Sequence, residues 1–174
     1  MKEIATNYSE AIQTIKDVIL KSRYRAAVLA NRELLSLSYG IGKYISENSR
    51  TGFWGTGAIE TISEKLQQEL PGLRGFSAGN LKKMRTFYEE WQGIEGEDFI
   101  NRSLLMNEFE IQDFTKDSDF PLQHFLQLGF THHSEIIYNE KSREGRLFYI
   151  QKCASEFWSV EKLKYHLKSK LFEK

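Results

Sequence analysis

The segment Ile59–Trp91, IETISEKLQQELPGLRGFSAGNLKKMRTFYEEW, decides how the rest of the chain is read. Ile59, Ile62, Leu66 and Leu70 recur at steps of three and four, the apolar stripe of a helix packed on one side. Pro71 stops that helix, because it lacks an N–H to donate and pushes the residue before it out of helical geometry. Gly72 and Gly75 supply the turn. Ser77 then restarts a helix, its hydroxyl placed to accept from the open N–H groups of the first turn. Leu81, Met84, Tyr88 and Trp91 form the second stripe. The opposite side carries Asn80, Lys82, Lys83, Arg85 and Thr86, donors suited to phosphates and base edges. The expectation is a helix-turn-helix with a recognition helix. The same pattern also occurs in all-α proteins whose outer lysines are merely solvated.

Working outward, Ser9–Ser22 carries Ile12, Ile15, Ile19 and Leu20 at helical spacing, and the pattern continues or restarts through Arg25–Asn48. This predicts a long N-terminal helical arm or a hairpin over residues 1–50. Gly40 and Gly42 weaken such a helix by up to about 1 kcal/mol each relative to Ala, so their expected use is close approach of another helix. No strand precedes them, which argues against a nucleotide loop. The connector from Asn48 to Gly57 presents Phe53 and Trp54, read as packing rings, with base stacking as the alternative.

Periodicity fails over residues 92–120, an acidic connector with a short β element or helix expected around 99–114. If paired as strands, that element would make the unit winged-helix-like. Residues 121–174 return to helical spacing, with Thr131, Ser142 and Ser159 as expected caps. The fold class is therefore mainly α, in a single domain: arm 1–50, helix-turn-helix 51–91, connector 92–120 and C-terminal helices 121–174.

The 174 residues carry no net charge, and 40% hydrophobic with 13% aromatic content excludes a disordered tail. Charge is unevenly spread. Between Glu89 and Asp119 the acids face only Arg102 and Lys116, whereas cations dominate from Lys141 onward. An anionic partner is expected at the Lys82–Arg85 face or along the C-terminal helices, with Arg146 and the C-terminal lysines extending the phosphate track. No run of about 18 apolar residues suggests a membrane span, and the N-terminus lacks a signal-peptide layout, so the expected location is cytoplasmic.

Catalytic signals are sparse. The lone Cys153 reads as a buried thiol. His132 and His133 point about 100° apart on a helix and have no partner at metal-ligand spacing, so one packed ring and one nearer the surface are expected. No Asp or Glu is followed two residues later by Lys, which removes the carboxylate-x-Lys element of a metal-dependent nuclease. No catalytic residue, metal or cofactor is expected.

Three blocks nevertheless resemble a known family. Asn31, Glu33 and Leu34 with Ile41, Gly42 and Ile45 form the first. Trp54-Gly55, Ile62–Leu66 and GFSAGNLKKMRTFY at Gly75–Tyr88 form the second. His132-His133, Arg146, Phe148-Tyr149, Trp158-Ser159 and Leu163 form the third. Together they resemble the N-terminal domain of YhcG-type bacterial proteins, a domain of unknown function. The family usually has Trp just before the His pair, where this chain has Phe130-Thr131, and Leu where it has Ile62. The resemblance implies a DNA-binding, helix-turn-helix-like module that precedes a PD-(D/E)XK nuclease domain. On this reading Ser77, Asn80, Lys82, Lys83, Arg85 and Arg146 contact duplex DNA, and a nuclease domain is a partner in cis or in trans. The alternative is an interaction module that forms a homodimer or docks a nuclease domain without touching DNA.

Overall fold

In this computed structural model, residues 2–94, 100, 102–103 and 119–174 are described, with the side chains of the first helix described from Tyr8 onward. The arm is one unbroken helix, α1 (Lys2–Arg50), not a hairpin. At about 1.5 Å per residue it is about 74 Å long. After the Trp54 connector come α2 (Ala58–Glu69) and α3 (Ala78–Trp91). The C-terminal part holds α4 (Leu122–Gln127), α5 (Phe130–Asn139), α6 (Arg143–Ser155), α7 (Val160–Lys168) and a final 3-10 turn, Leu171–Glu173. No strand occurs among the described residues. Of the stretch 99–114, Ile100, Arg102 and Ser103 are described and are helical, while the rest of the expected β element lies outside the described residues.

The caps follow side-chain chemistry. Ser77, Ser142 and Ser159 each accept a backbone N–H three residues on, from Asn80, Gly145 and Lys162, removing one open donor per helix start. Thr131 is not a cap. It lies inside α5, whose cap is Gly129 with no side-chain bond, because the helix starts earlier than the hydroxyl suggested. α2 ends at Glu69, just before Pro71 as expected, and Gly72 and Gly75 hold φ of 85° and 88° in the turn, a region open to Gly at little cost.

α3 is the hub. On one side Leu81 and Met84 join Ile45 of α1 and Ile59 of α2 in a small core, with Trp54 packed on it and edge-on to Tyr44 at 5.8 Å. On the other, Phe87 and Trp91 enter the main core, where Phe125 lies 6.0 Å from Phe87 and 5.3 Å from Trp91. The predicted stripe is thus off by one position: Phe87 is fully buried and Tyr88 is half-buried against Tyr39. On α2 the stripe shortens. Ile59 and Ser63 are buried, Ser63 donating to the Phe76 carbonyl, while Leu70 is 53% exposed because the helix has left the core by then. Asn31 ties α1 to the other end of the domain by donating to the Leu126 and Leu128 carbonyls at 2.9 and 3.0 Å. These are carbonyls that the end of α4 leaves open.

Candidate nucleic-acid interface

α2 and α3 are joined by Leu70–Ser77, longer than the roughly three- or four-residue turn of a strict helix-turn-helix. The outer side of α3 is bounded by α2 along one flank and α5 along the other. Ser77 is exposed at its start, and its oxygen already accepts the Asn80 N–H at 3.3 Å, which leaves the hydroxyl hydrogen free to donate. The Asn80 side chain is half-buried.

One turn on, Lys82 is half-exposed and donates to Glu60 of α2 at 2.5 Å. That hydrogen bond holds the Glu60 carboxyl below the usual carboxylate range. The pair sits in solvent, where such contacts contribute little and exchange readily. Lys83 is exposed and makes neither ion pair nor hydrogen bond among the described residues.

The two arginines expected beside these lysines point elsewhere. Arg85 is only 20% exposed and turns toward the end of α1, where Nη1 donates to Ser49 at 3.2 Å and Nε lies 3.9 Å from Glu89. Glu89 in turn accepts from Arg50 at 2.8 and 2.9 Å and from Ser46 at 2.8 Å. The Arg50 bond is the largest cause of its lowered pKa, against the opposing effect of burial. Arg146, with a side chain 10% exposed, pairs with Glu90 of α3 at 2.5 Å and donates from Nε to the Glu140 carbonyl at 2.8 Å. It fastens α6 to α3, and its guanidinium is turned inward rather than outward. Three of the seven C-terminal lysines are paired locally: Lys152 with Glu156, Lys164 with Glu135 and Lys170 with Glu173.

The charge that does converge joins the α3 lysines to Lys141, one of the C-terminal cations, a pairing the sequence did not reveal. Between α3 and α5 lies an open groove of about 270 Å³, lined by Lys82, Lys83, Thr86 and Glu90 from one side and Ser134, Ile137, Tyr138 and Lys141 from the other. Three lysines line the groove with one carboxylate, Glu90, which Arg146 neutralises; Lys82 also pairs with Glu60 outside it, and Lys141 donates to the Tyr138 carbonyl at 3.0 Å. Tyr138 is 79% exposed with the Lys141 ammonium 5.9 Å from its ring. The Ser134 hydroxyl is buried with no hydrogen-bond partner among the described residues. Lys141 lies 58 residues from Lys83, so no local pattern joins them; the signal available was the cationic bias of the C-terminal third.

The remaining chemistry is packed away. His133 is fully buried, its Nε2–H donating to the Phe125 carbonyl at 2.9 Å, and desolvation lowers its pKa to about 3. His132 is half-buried against the Trp158 carbonyl at 3.0 Å. Cys153 is a buried thiol pushed up to about 12 by desolvation. No cluster of His, Cys, Asp or Glu able to hold a metal occurs among the described residues, and no described helix is long and apolar enough to cross a membrane. Trp54 packs as expected, whereas Phe53 is 82% exposed.

The family profile of the DUF1016 N-terminal domain matches residues 14–174, spanning α2, α3, the groove and all the C-terminal helices. The chain belongs to the DUF1016 N-terminal domain family. No curated protein and no solved structure matches it. Within this DUF1016 domain, the GFSAGNLKKMRTFY segment supplies one wall of the groove, and the helix that begins with the histidine-pair block supplies the other.

Proposed function

We propose that this DUF1016 N-terminal domain binds duplex DNA along the outer side of α3, with the α3–α5 groove receiving the phosphate backbone. The observation that carries the reading is the convergence of Lys82, Lys83 and Lys141 on one groove in a chain of zero net charge. Neutralising phosphates there releases counterions, the main source of affinity for a protein with few contacts. The unpartnered Ser134 hydroxyl is a donor that a phosphate oxygen would satisfy. Ser77 and the open N–H groups at the start of α3 add a second phosphate position, and Asn80 is the side chain placed to meet a base edge. Arg85 and Arg146 act as braces that hold α3 against α1 and α6.

The YhcG-type resemblance extends the proposal. In it this domain is the targeting part of a nuclease-family protein, delivering a PD-(D/E)XK domain in cis or in trans, and itself performs no hydrolysis. The test is a fluorescence-anisotropy titration of labelled random duplex at low salt with the wild-type chain and with Lys83→Glu/Lys141→Glu. A loss of roughly tenfold or more in affinity is expected, since each phosphate contact contributes to log K in proportion. Equal binding by both proteins would reject the groove.

A further inference from the structure

Residues 8–27 of α1 are exposed at every position, and toward the end of this span Tyr24 and Ala27, on the side away from the stripe described below, border a cavity against the body. The sequence of this span does not explain why it should be helical alone. Ile12, Ile15, Val18 and Ile19 are β-branched and indifferent helix formers, and a lone segment of about 20 residues draws its stability in water mainly from packing of an apolar face. Such a face is present and uncovered. Tyr8, Ile12, Ile15, Ile19, Ala26 and Leu29 follow at alternating steps of four and three, with Ser22 as the one polar step. Tyr8, Ile12, Ile15 and Leu29 are 67%, 66%, 59% and 61% exposed. At 3.6 residues per turn this stripe lies roughly opposite Leu35 and Tyr39, the side of α1 that packs on the body. A partner on the stripe therefore meets no obstruction from the domain.

We propose that the stripe from Tyr8 to Leu29 pairs with the same stripe of a second copy of this chain, as a parallel two-stranded coiled coil. The spacing is the heptad a/d repeat, with Ile12, Ile19 and Ala26 at a and Tyr8, Ile15, Ser22 and Leu29 at d. Charge selects the partner and its direction. The flanking e and g positions hold Lys16, Arg23 and Arg25, with Ala11, Val18 and Ala30. In parallel register each cation faces an apolar residue of the other copy: Lys16 meets Ala11, Arg23 meets Val18 and Arg25 meets Ala30. No like-charge pair forms, and the alkyl stems cover the seam. An antiparallel pairing brings e against e, which sets Lys16 against Lys16 or Arg23 of the other copy, a like-charge pair in either register. Area is sufficient as well. Each large apolar residue withdraws on the order of 100 Å² from water, so the stripe with Val18 and Ala11 offers on the order of 700 Å² per copy, near the ~800 Å² of a standard interface.

Light scattering on the full chain tests this. The wild type is expected at twice 20.4 kDa, and Ile15→Glu/Ile19→Glu at 20.4 kDa with the thermal transition of the body unchanged, because neither side chain touches it. Gln13→Glu/Lys21→Glu, on the other side of the helix, keeps the double mass. A wild-type mass of 20.4 kDa overturns the proposal and leaves the stripe to a different chain; a double-mass Ile15→Glu/Ile19→Glu variant overturns it too. Ser22→Cys reads direction. Oxidation yields a covalent dimer in the parallel arrangement, Lys21→Cys yields none, and failure of Ser22→Cys to cross-link rejects the parallel pairing.

Discussion

Gly42 of α1 lies so close to the Met84 carbonyl of α3 that a β-carbon on it would fall inside that oxygen, with the Met84 carbonyl carbon at 2.7 Å and the Tyr88 Cβ at 3.0 Å. Two backbones touch there, and neither atom can rotate away. Gly42→Ala is expected to force α1 off the hub helix and destabilise the domain by ~2 kcal/mol or more, in the range of overpacked cores. Gly40, two residues earlier, has nothing within 4 Å. Gly40→Ala is expected to stabilise by up to ~1 kcal/mol through helix propensity. Urea denaturation of the two variants checks the contrast in sign.

Arg146 joins three elements through Glu90 and the Glu140 carbonyl. Glu90 is more than a third exposed and can be rehydrated once its partner is gone, so the loss falls below that of a fully buried pair. Arg146→Ala is expected to cost ~1–3 kcal/mol in urea unfolding and, because Glu90 then stands uncompensated in the groove, to weaken DNA binding by the folded protein only modestly, less than Lys83→Glu/Lys141→Glu does. A large affinity loss at unchanged stability would make Arg146 a contact residue.

His133 makes stability depend on acid. Burial depresses its pKa to about 3 in the fold, against the ordinary imidazole value of 6.5. Between these values the unfolded chain binds a proton that the folded chain refuses. The contribution is fully present above about 6.5 and is lost progressively as pH falls toward 3, by ~1.4 kcal/mol per pH unit. Urea midpoints measured at about pH 7 and about pH 5 should fall with acid in the wild type. In His133→Asn the domain should be weaker overall, with a flatter slope over that interval.

Phe157 occupies left-handed geometry at φ 52° just after α6, and its ring is 87% exposed. The strain is not offset by burial. Phe157→Gly is expected to raise stability by ~1 kcal/mol, read as a higher melting temperature.

Local chemistry made much of this fold legible. Ser77, Ser142 and Ser159 cap the helices they precede, Pro71 follows the end of α2, and Gly42 marks a close crossing as expected, whereas Gly40, read the same way, has nothing within 4 Å because it faces away from α3. Errors arose where tertiary neighbours decide. α3 is packed on several sides, so one stripe could not distinguish Phe87 from Tyr88. Leu70 continues the period of α2 but extends past its neighbours. Arg85 and Arg146 look like free cations in sequence, yet their acceptors Ser49 and Glu90 are 36 and 56 residues away. The groove was half legible for the same reason: Lys82 and Lys83 stand together in the sequence, whereas Lys141 joins them only through the packing of α5 on α3.

The most direct test is the salt dependence of duplex binding, with log K plotted against log salt for the wild type and for Lys83→Glu/Lys141→Glu. If the two lysines each hold a phosphate, the slope becomes shallower by about two units in the variant, at roughly 0.9 per contact. Affinity at low salt falls with it, while Arg146→Ala keeps the wild-type slope. Identical slopes for wild type and the lysine variant, or no measurable duplex binding by the wild type at low salt, would contradict DNA recognition by this groove.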